Sequence, residues 1–110
     1  MDKNEAITIA RAYIDLIGNK YEIKETFLFG SYAKGTNHQD SDIDIAVIVK
    51  DNVDIIDTQI ELMKLRRKID LRIEPHPFKE ADFNRSNPVA NEILKYGIAI
   101  EANIFAQSYS

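Results

Sequence analysis

Two aspartates and a Gly-Ser pair are the residues of this chain whose types and spacing point most directly to chemistry. Asp42 and Asp44 lie two residues apart, so in a strand their side chains project from the same face. Two like charges on one face repel each other unless a cation relieves them. Gly30-Ser31 comes earlier, after an apolar run, and a glycine there lets backbone amides approach a phosphate closely. The pattern predicts a site for a divalent metal and a phosphate ester.

A third carboxylate, Asp70, is predicted at the start of the next strand. If that strand lies beside the Asp42 strand, Asp70 joins the same cluster, and three carboxylates form an all-oxygen site that suits magnesium or manganese. The alternation of aspartates also invites comparison with a calcium-binding EF-hand loop. That loop needs glycine at its sixth position and glutamate at its twelfth, where this chain has Ile45 and Asp51. The EF-hand alternative is therefore excluded.

The elements that position these residues follow from hydrophobic periodicity and from capping and turn residues. Asp2 and Gly18 are suitable limits for a first helix, and Pro75 and Pro77 are expected to end the third strand. The patterns predict helices over residues 2–18, 53–68 and 87–96, helical turns over 31–35 and 78–83, and strands over 21–29, 42–49, 69–74 and 98–101. This order predicts an α+β fold, a small mixed sheet with helices packed on it. We expect one domain over residues 1–102 and a tail over 103–110.

Composition and charge narrow the class of protein. The chain has 110 residues and is 45% hydrophobic and 29% charged, which is typical of a single globular domain. It has no cysteine, which excludes disulfides and thiolate metal sites and agrees with a cytoplasmic location. A net charge of -4 argues against general nucleic-acid binding. We expect no membrane span and no signal peptide, because the longest apolar run covers only residues 45–49.

The spacing of the candidate residues resembles a known signature. Gly30-Ser31, ten intervening residues and Asp42-Ile43-Asp44 are similar to the G-S-x10-D-x-D signature of the DNA polymerase beta-type nucleotidyltransferase superfamily. The resemblance covers residues 5–100 and implies the nucleotidyltransferase fold. The short chain resembles the minimal nucleotidyltransferase group. Members of that group often act as antitoxins of HEPN-domain ribonuclease toxins, and several transfer AMP from ATP to a tyrosine of the toxin.

The resemblance also implies roles for the candidate residues. Asp42 and Asp44 would hold two magnesium ions, with manganese as an alternative. Asp70 would ligate the second ion and help to take the proton of the acceptor. Gly30 and Ser31 would hold the β- and γ-phosphates of ATP.

The sequence leaves open the roles of four further residues in the site. Lys34 is expected either to reach the triphosphate or to be a solvent-exposed lysine. The sequence favours the second alternative at least as much as the first. Arg72 either counters the acidic cluster or touches a phosphate, or it forms a plain salt bridge. His38 and His76 match no catalytic position of the signature, and His76, between two prolines, is expected to be structural.

Three functions remain open at this stage. The first is the transfer of AMP to a hydroxyl, expected to be a tyrosine, of a HEPN-family toxin. It is favoured because 110 residues leave little surface to enclose a small substrate, and the acidic balance suits a basic partner. The second is a small-molecule nucleotidyltransferase of the aminoglycoside-modifying type. The third is a non-catalytic antitoxin module. The base preference, the acceptor and the oligomeric state, including a homo-oligomer, stay open.

Overall fold

The structure is a computed structural model that describes residues 1–101. It contains a four-stranded mixed sheet with helices packed on both faces. The helices are α1 (Lys3–Ile17), α2 (Ser31–Lys34), α3 (Ile55–Leu65) and α4 (Pro88–Tyr96), and the strands are β1 (Ile23–Phe29), β2 (Ile43–Val49), β3 (Ile73–Lys79) and β4 (Ile98–Ala99). The strand order is β3-β2-β1-β4, with β1 antiparallel to β2 and β4, and β2 parallel to β3. The predicted α+β fold is confirmed. The predicted tail over 103–110 lies outside the described residues.

The three long helices begin within two residues of the predicted positions, and each has a capping side chain. The Asp2 carboxylate accepts a hydrogen bond from the Glu5 amide at 2.8 Å. Asp54 and Asn87 cap α3 and α4 in the same way, each accepting from two backbone amides of the first turn. None of the helices within residues 1–101 is long and apolar enough to cross a membrane.

The third strand is where the sequence-based prediction is wrong. The predicted strand over 69–74 starts four residues too early, and β3 runs through Pro75 and Pro77 instead of ending before them. β3 is an edge strand, and the carbonyl of Arg72 faces β2, where it accepts from the Ile43 amide at 2.8 Å. The backbone groups of the odd-numbered residues, which include both prolines, are directed away from β2. Proline lacks an amide hydrogen, but at these two positions that hydrogen would not take part in the ladder.

The core lies on both faces of β2. Ile43, Ile45, Val47 and Val49 are fully buried in a cluster that includes the inner sides of α1 and α3. The opposite face of the sheet packs under Ile93 of α4. That second cluster consists of Ala46, Ile48 and Ile93 with Phe27, Phe29, Phe78 and Phe83. The second face continues toward the start of β2, where Asp44 takes the next alternate position.

Candidate active site

The turn between β1 and α2 brings Gly30 directly against Asp44. Phe29, the last residue of β1, is opposite Asp44 in the antiparallel register. Gly30 then adopts φ +74° and ψ -148°, a conformation that L side chains rarely adopt. A Cβ at this position would lie 3.2 Å from Asp44 Cγ and closer still to Oδ2. Glycine is therefore required both by the backbone conformation and by the approach to the carboxylate.

Asp42 and Asp44 share one face of the sheet, as predicted. They alternate with the buried residues Ser41, Ile43 and Ile45, and the two isoleucines point into the core under α1 and α3. Asp42 precedes β2 and is exposed, whereas Asp44 lies within it and is half-buried. Within residues 1–101 neither carboxylate pairs with a lysine or an arginine. The pairing that Asp44 does show in this part of the chain is with His76.

Asp70 is not on the third strand but three residues before it. The Arg72 guanidinium donates to Asp70 Oδ1 at 2.9 Å and to Oδ2 at 2.6 Å, and the Arg72 amide donates to Oδ1 at 2.8 Å. These hydrogen bonds hold the pKa of the Asp70 carboxyl below its usual range. Of the two alternatives for Arg72, the structure has the salt bridge, so Asp70 already has a cationic partner within the chain.

Glu74 is the carboxylate that the sheet places beside Asp44. The parallel register pairs Asp44 with Glu74, so the two side chains are neighbours on one face. Its nearest cation is Arg66, whose Nη1 lies 3.9 Å from Glu74 Oε1. Sequence reasoning missed Glu74 because it ended the strand at this residue. A strand pattern that continues past the prolines could have found it, because Glu74 then alternates with the buried residues Ile73 and Pro75.

His76 is a second residue that the sequence prediction did not place in the site. Its Nε2 lies 3.1 Å from Asp44 Oδ1. Its ring packs edge-on against Phe29, with the ring centroids 4.9 Å apart. The interpretation of His76 as purely structural therefore needs revision, because it contacts the central carboxylate of the candidate site.

Lys34 lies at the end of α2 and is directed toward α4. It forms a salt bridge with Glu92, and its Nζ lies 5.5 Å from the centroid of the Tyr96 ring. The hydrogen bond with Glu92 raises the pKa of Lys34. In this arrangement the ammonium group joins α2 to α4, and both helices are close to the Gly30 turn.

The donor set fits magnesium or manganese, because the ligands available on this face are carboxylate oxygens. Asp42, Asp44 and Glu74 come from the start of β2 and from the neighbouring position on β3. Among residues 1–101, no group of three or more acidic, histidine or cysteine side chains is arranged so that it could hold a metal ion. An open set of this kind suits magnesium, which keeps water and substrate phosphates among its ligands.

The match to a family of known proteins covers most of the chain. The model of the polymerase beta nucleotidyltransferase family matches residues 12–108, which include Gly30-Ser31 and both aspartates of the D-x-D pair. The chain belongs to this family. The family that the sequence signature predicts is therefore confirmed.

Two relatives are similar in sequence to this nucleotidyltransferase. The protein adenylyltransferase MntA of Shewanella oneidensis is 34% identical over 74 residues, which are 67% of this chain and 49% of MntA. A protein of Methanocaldococcus jannaschii, provisionally named a protein adenylyltransferase, is 36% identical over 67 residues, 60% of this chain and 67% of that protein. The chain thus spans about half the length of the Shewanella relative.

A solved structure extends the similarity to the fold. A crystal structure of a toxin-antitoxin pair with AMP-PNP matches with a TM-score of 0.58 and 25% sequence identity. The match covers 99% of this chain and 80% of that chain. The small mixed sheet and its helices are therefore arranged as in a known nucleotide-containing complex.

Proposed function

We propose that this nucleotidyltransferase moves AMP from ATP to a hydroxyl group of a protein partner, and that the partner is a HEPN-family toxin. The observation that carries the reaction is the close approach of Gly30 to Asp44 at the start of the D-x-D strand. The choice of a protein acceptor is supported by the adenylyltransferase relatives and by the toxin-antitoxin structure. A tyrosine is the expected acceptor residue, and the lack of cysteine agrees with action in the cytoplasm.

Each residue of the site has a role in this reaction. Asp42 and Asp44 would hold two magnesium or manganese ions, and bound metal would supply positive charge to offset the charge that develops on the phosphate oxygens. The backbone at Gly30 and the Ser31 hydroxyl hold the β- and γ-phosphates, which directs the α-phosphorus toward the acceptor. The acceptor oxygen then bonds to the α-phosphorus while the bond to the bridging oxygen breaks, and pyrophosphate leaves. A carboxylate of the site takes the proton of the acceptor hydroxyl.

Asp70 and Glu74 are the candidates for the third carboxylate. Asp70 requires the Arg72 guanidinium to move before its oxygens can bind a metal or a proton. Glu74 is already beside Asp44 in the sheet. We propose that Glu74 fills the role and that Asp70 does so only if the Arg72 pair opens.

Lys34 remains a proposed contact of the triphosphate. Its salt bridge with Glu92 is exposed, and solvent screens exposed pairs of this kind. A bound triphosphate therefore competes easily with Glu92 for the ammonium group.

Incubation with ATP labelled at the α-phosphate tests the proposal directly. With magnesium and a purified HEPN toxin, the label should transfer to the toxin, and ATP labelled at the γ-phosphate should leave the toxin unlabelled. An aminoglycoside should replace the toxin as acceptor if the enzyme modifies small molecules. Inhibition of the toxin without any transfer would instead indicate a non-catalytic antitoxin.

Asp42→Asn and Asp44→Asn should each reduce the transfer rate on the order of 1,000-fold, because each removes several kcal/mol of charge stabilisation. Both variants should keep their thermal midpoint, since the substitution removes a repulsion. Asp40→Asn is the matched control. Asp40 is an exposed acidic residue in the connection before β2, two residues ahead of Asp42. Loss of folding in the two site variants, with Asp40→Asn unaffected, would make the aspartates structural.

A further inference from the structure

His76 lies at the boundary between the second core cluster and the carboxylates of the site. Along β3 it follows Glu74 on the same face, and in the parallel register it is opposite Ala46. Ala46 presents only a methyl group, and Asp44 is the next residue on that face of β2. The imidazole therefore meets Asp44 diagonally across two strands, a distance that a ring can span.

The contact is a hydrogen bond with a defined direction. A carboxylate accepts hydrogen bonds and donates none when ionised, so Nε2 of His76 donates to Asp44 Oδ1 across 3.1 Å. Phe29 fixes the other side of the imidazole by an edge-on contact at 4.9 Å. The ring is thus held between an aromatic side chain of β1 and a carboxylate of β2.

The two oxygens of Asp44 consequently differ. Oδ1 faces His76 on β3, whereas Oδ2 faces the Cα of Gly30 in the turn after β1. A carboxylate held on one oxygen cannot rotate freely, so the direction of the remaining lone pairs is set before any ligand arrives. Hydrogen-bonded partners of this kind commonly orient the ligands of metal sites.

We propose that His76 is a positioning residue, which orients Asp44 for cation binding through a hydrogen bond from Nε2 to Oδ1. This inference rests on the proposed function, since it assigns Asp44 to the metal site. His76 itself contacts neither the substrate nor the reacting atoms. Its role differs from simple packing because it depends on a donor at the position of Nε2, which an apolar ring of similar size lacks.

Three variants separate the donor from the ring. His76→Phe keeps an aromatic ring against Phe29 and removes the donor. His76→Gln removes the ring but can place an amide donor near the position of Nε2. His38→Gln is the matched control, because it removes the histidine of the loop before β2, whose Nδ1 lies 3.3 Å from the Asp40 amide.

Binding of Mn²⁺ in the presence of AMP-PNP, whose phosphates complete the ligand set, measures the effect by electron paramagnetic resonance without any turnover. His76→Phe should weaken Mn²⁺ binding about 10-fold or more, the usual consequence of losing a residue that orients a metal ligand. His76→Gln should restore most of the affinity, and His38→Gln should match the wild type. Equal affinities of the His76→Phe and wild-type proteins, or equal losses in the Phe and Gln variants, would overturn the inference.

Long-range ¹⁵N–¹H correlation spectra of the metal-free protein test the contact independently. They should show a proton on Nε2 of His76 that exchanges slowly with water, and Asp44→Ala should abolish this protection. A proton on Nδ1 alone, or protection that persists in Asp44→Ala, would overturn the inference even if the enzyme is active. A wild-type protein that binds no Mn²⁺ but shows the protected proton would overturn the proposed function and keep the His76–Asp44 contact.

Discussion

Asp44 is the residue on which most of the site's contacts converge. It is opposite Phe29 on β1, beside Glu74 on β3 and in contact with His76. Gly30 leaves room for its second oxygen. Of the acidic residues predicted for the site, it is the one whose geometry the structure defines most completely. Asp42, one alternate position earlier, is more exposed.

A comparison of Glu74→Gln with Asp70→Asn tests which of these two residues supplies the third carboxylate of the proposed site. Glu74→Gln should lower the transfer rate about 100-fold, because it removes a charge next to Asp44 where metal or proton is bound. Asp70→Asn should have a much smaller effect, because the Asp70 carboxylate is engaged with Arg72. Rates with saturating ATP and toxin provide the measurement. The reverse order of effects would restore Asp70 to the role that the sequence predicts for it.

At the scale of elements, the helices on the first core face are joined by a buried tyrosine. The Tyr13 hydroxyl on α1 donates to the Leu62 carbonyl on α3 at 2.7 Å. The Leu62 carbonyl also accepts from the Arg66 amide, so it is shared between the helix and the tyrosine. Burial raises the pKa of Tyr13 above its usual range. Ionisation of this phenol is therefore coupled to unfolding.

Stability should consequently fall in alkaline solution. A folded-state pKa above the unfolded value gives a contribution that is complete below the unfolded pKa of about 10 and is lost as the pH rises beyond it. Tyr13→Phe should cost about 1 kcal/mol at neutral pH and should lose less stability than the wild type above about pH 10. Urea unfolding at several pH values measures both effects. Parallel pH curves for the two proteins would contradict this account.

Tyr21 contributes to the same alkaline loss. Burial is the first cause that raises its pKa, and its hydrogen bond to Glu61 on α3 is the second. Tyr13→Phe should therefore retain part of the pH dependence, and a double Tyr→Phe variant should retain less of it. The two tyrosines connect α3 to the first helix and to the segment that follows it.

At the scale of the whole molecule, topology explains why the site forms at one end of the sheet. β1 runs antiparallel to β2, and β3 runs parallel to it. The end of β1 and the starts of β2 and β3 therefore meet at the same end. This arrangement brings Gly30, Asp44 and Glu74 together although they are distant in sequence.

Binding at this end should stabilise the entire domain. Magnesium with AMP-PNP at about 100 times its dissociation constant should add about 2.7 kcal/mol to the free energy of unfolding, because only the folded chain forms the site. The thermal midpoint in the presence and absence of the analogue measures this gain. Asp42→Asn and Asp44→Asn should lose most of it, whereas Asp40→Asn should retain it. An equal gain in all four proteins would place the nucleotide elsewhere.

The sequence by itself determined the local parts of this protein. The features in question are Gly30 directly after an apolar strand, the alternation of Asp42 with Asp44, and the capping residues Asp2 and Asn87. Each depends on short-range backbone and side-chain geometry, so each was predictable. The family followed from the same residues, because their spacing is the signature of the site.

Only the tertiary structure decided which carboxylate and which histidine join Asp44. Prolines commonly end a strand, and this local rule stopped the predicted strand at Glu74 and left His76 out. The rule fails because β3 is an edge strand whose prolines face away from β2. The register of β3 against β2 is set by packing between residues far apart in the chain, which no local pattern records. It is this register that places Glu74 beside Asp44 and brings His76 within 3.1 Å of its carboxylate.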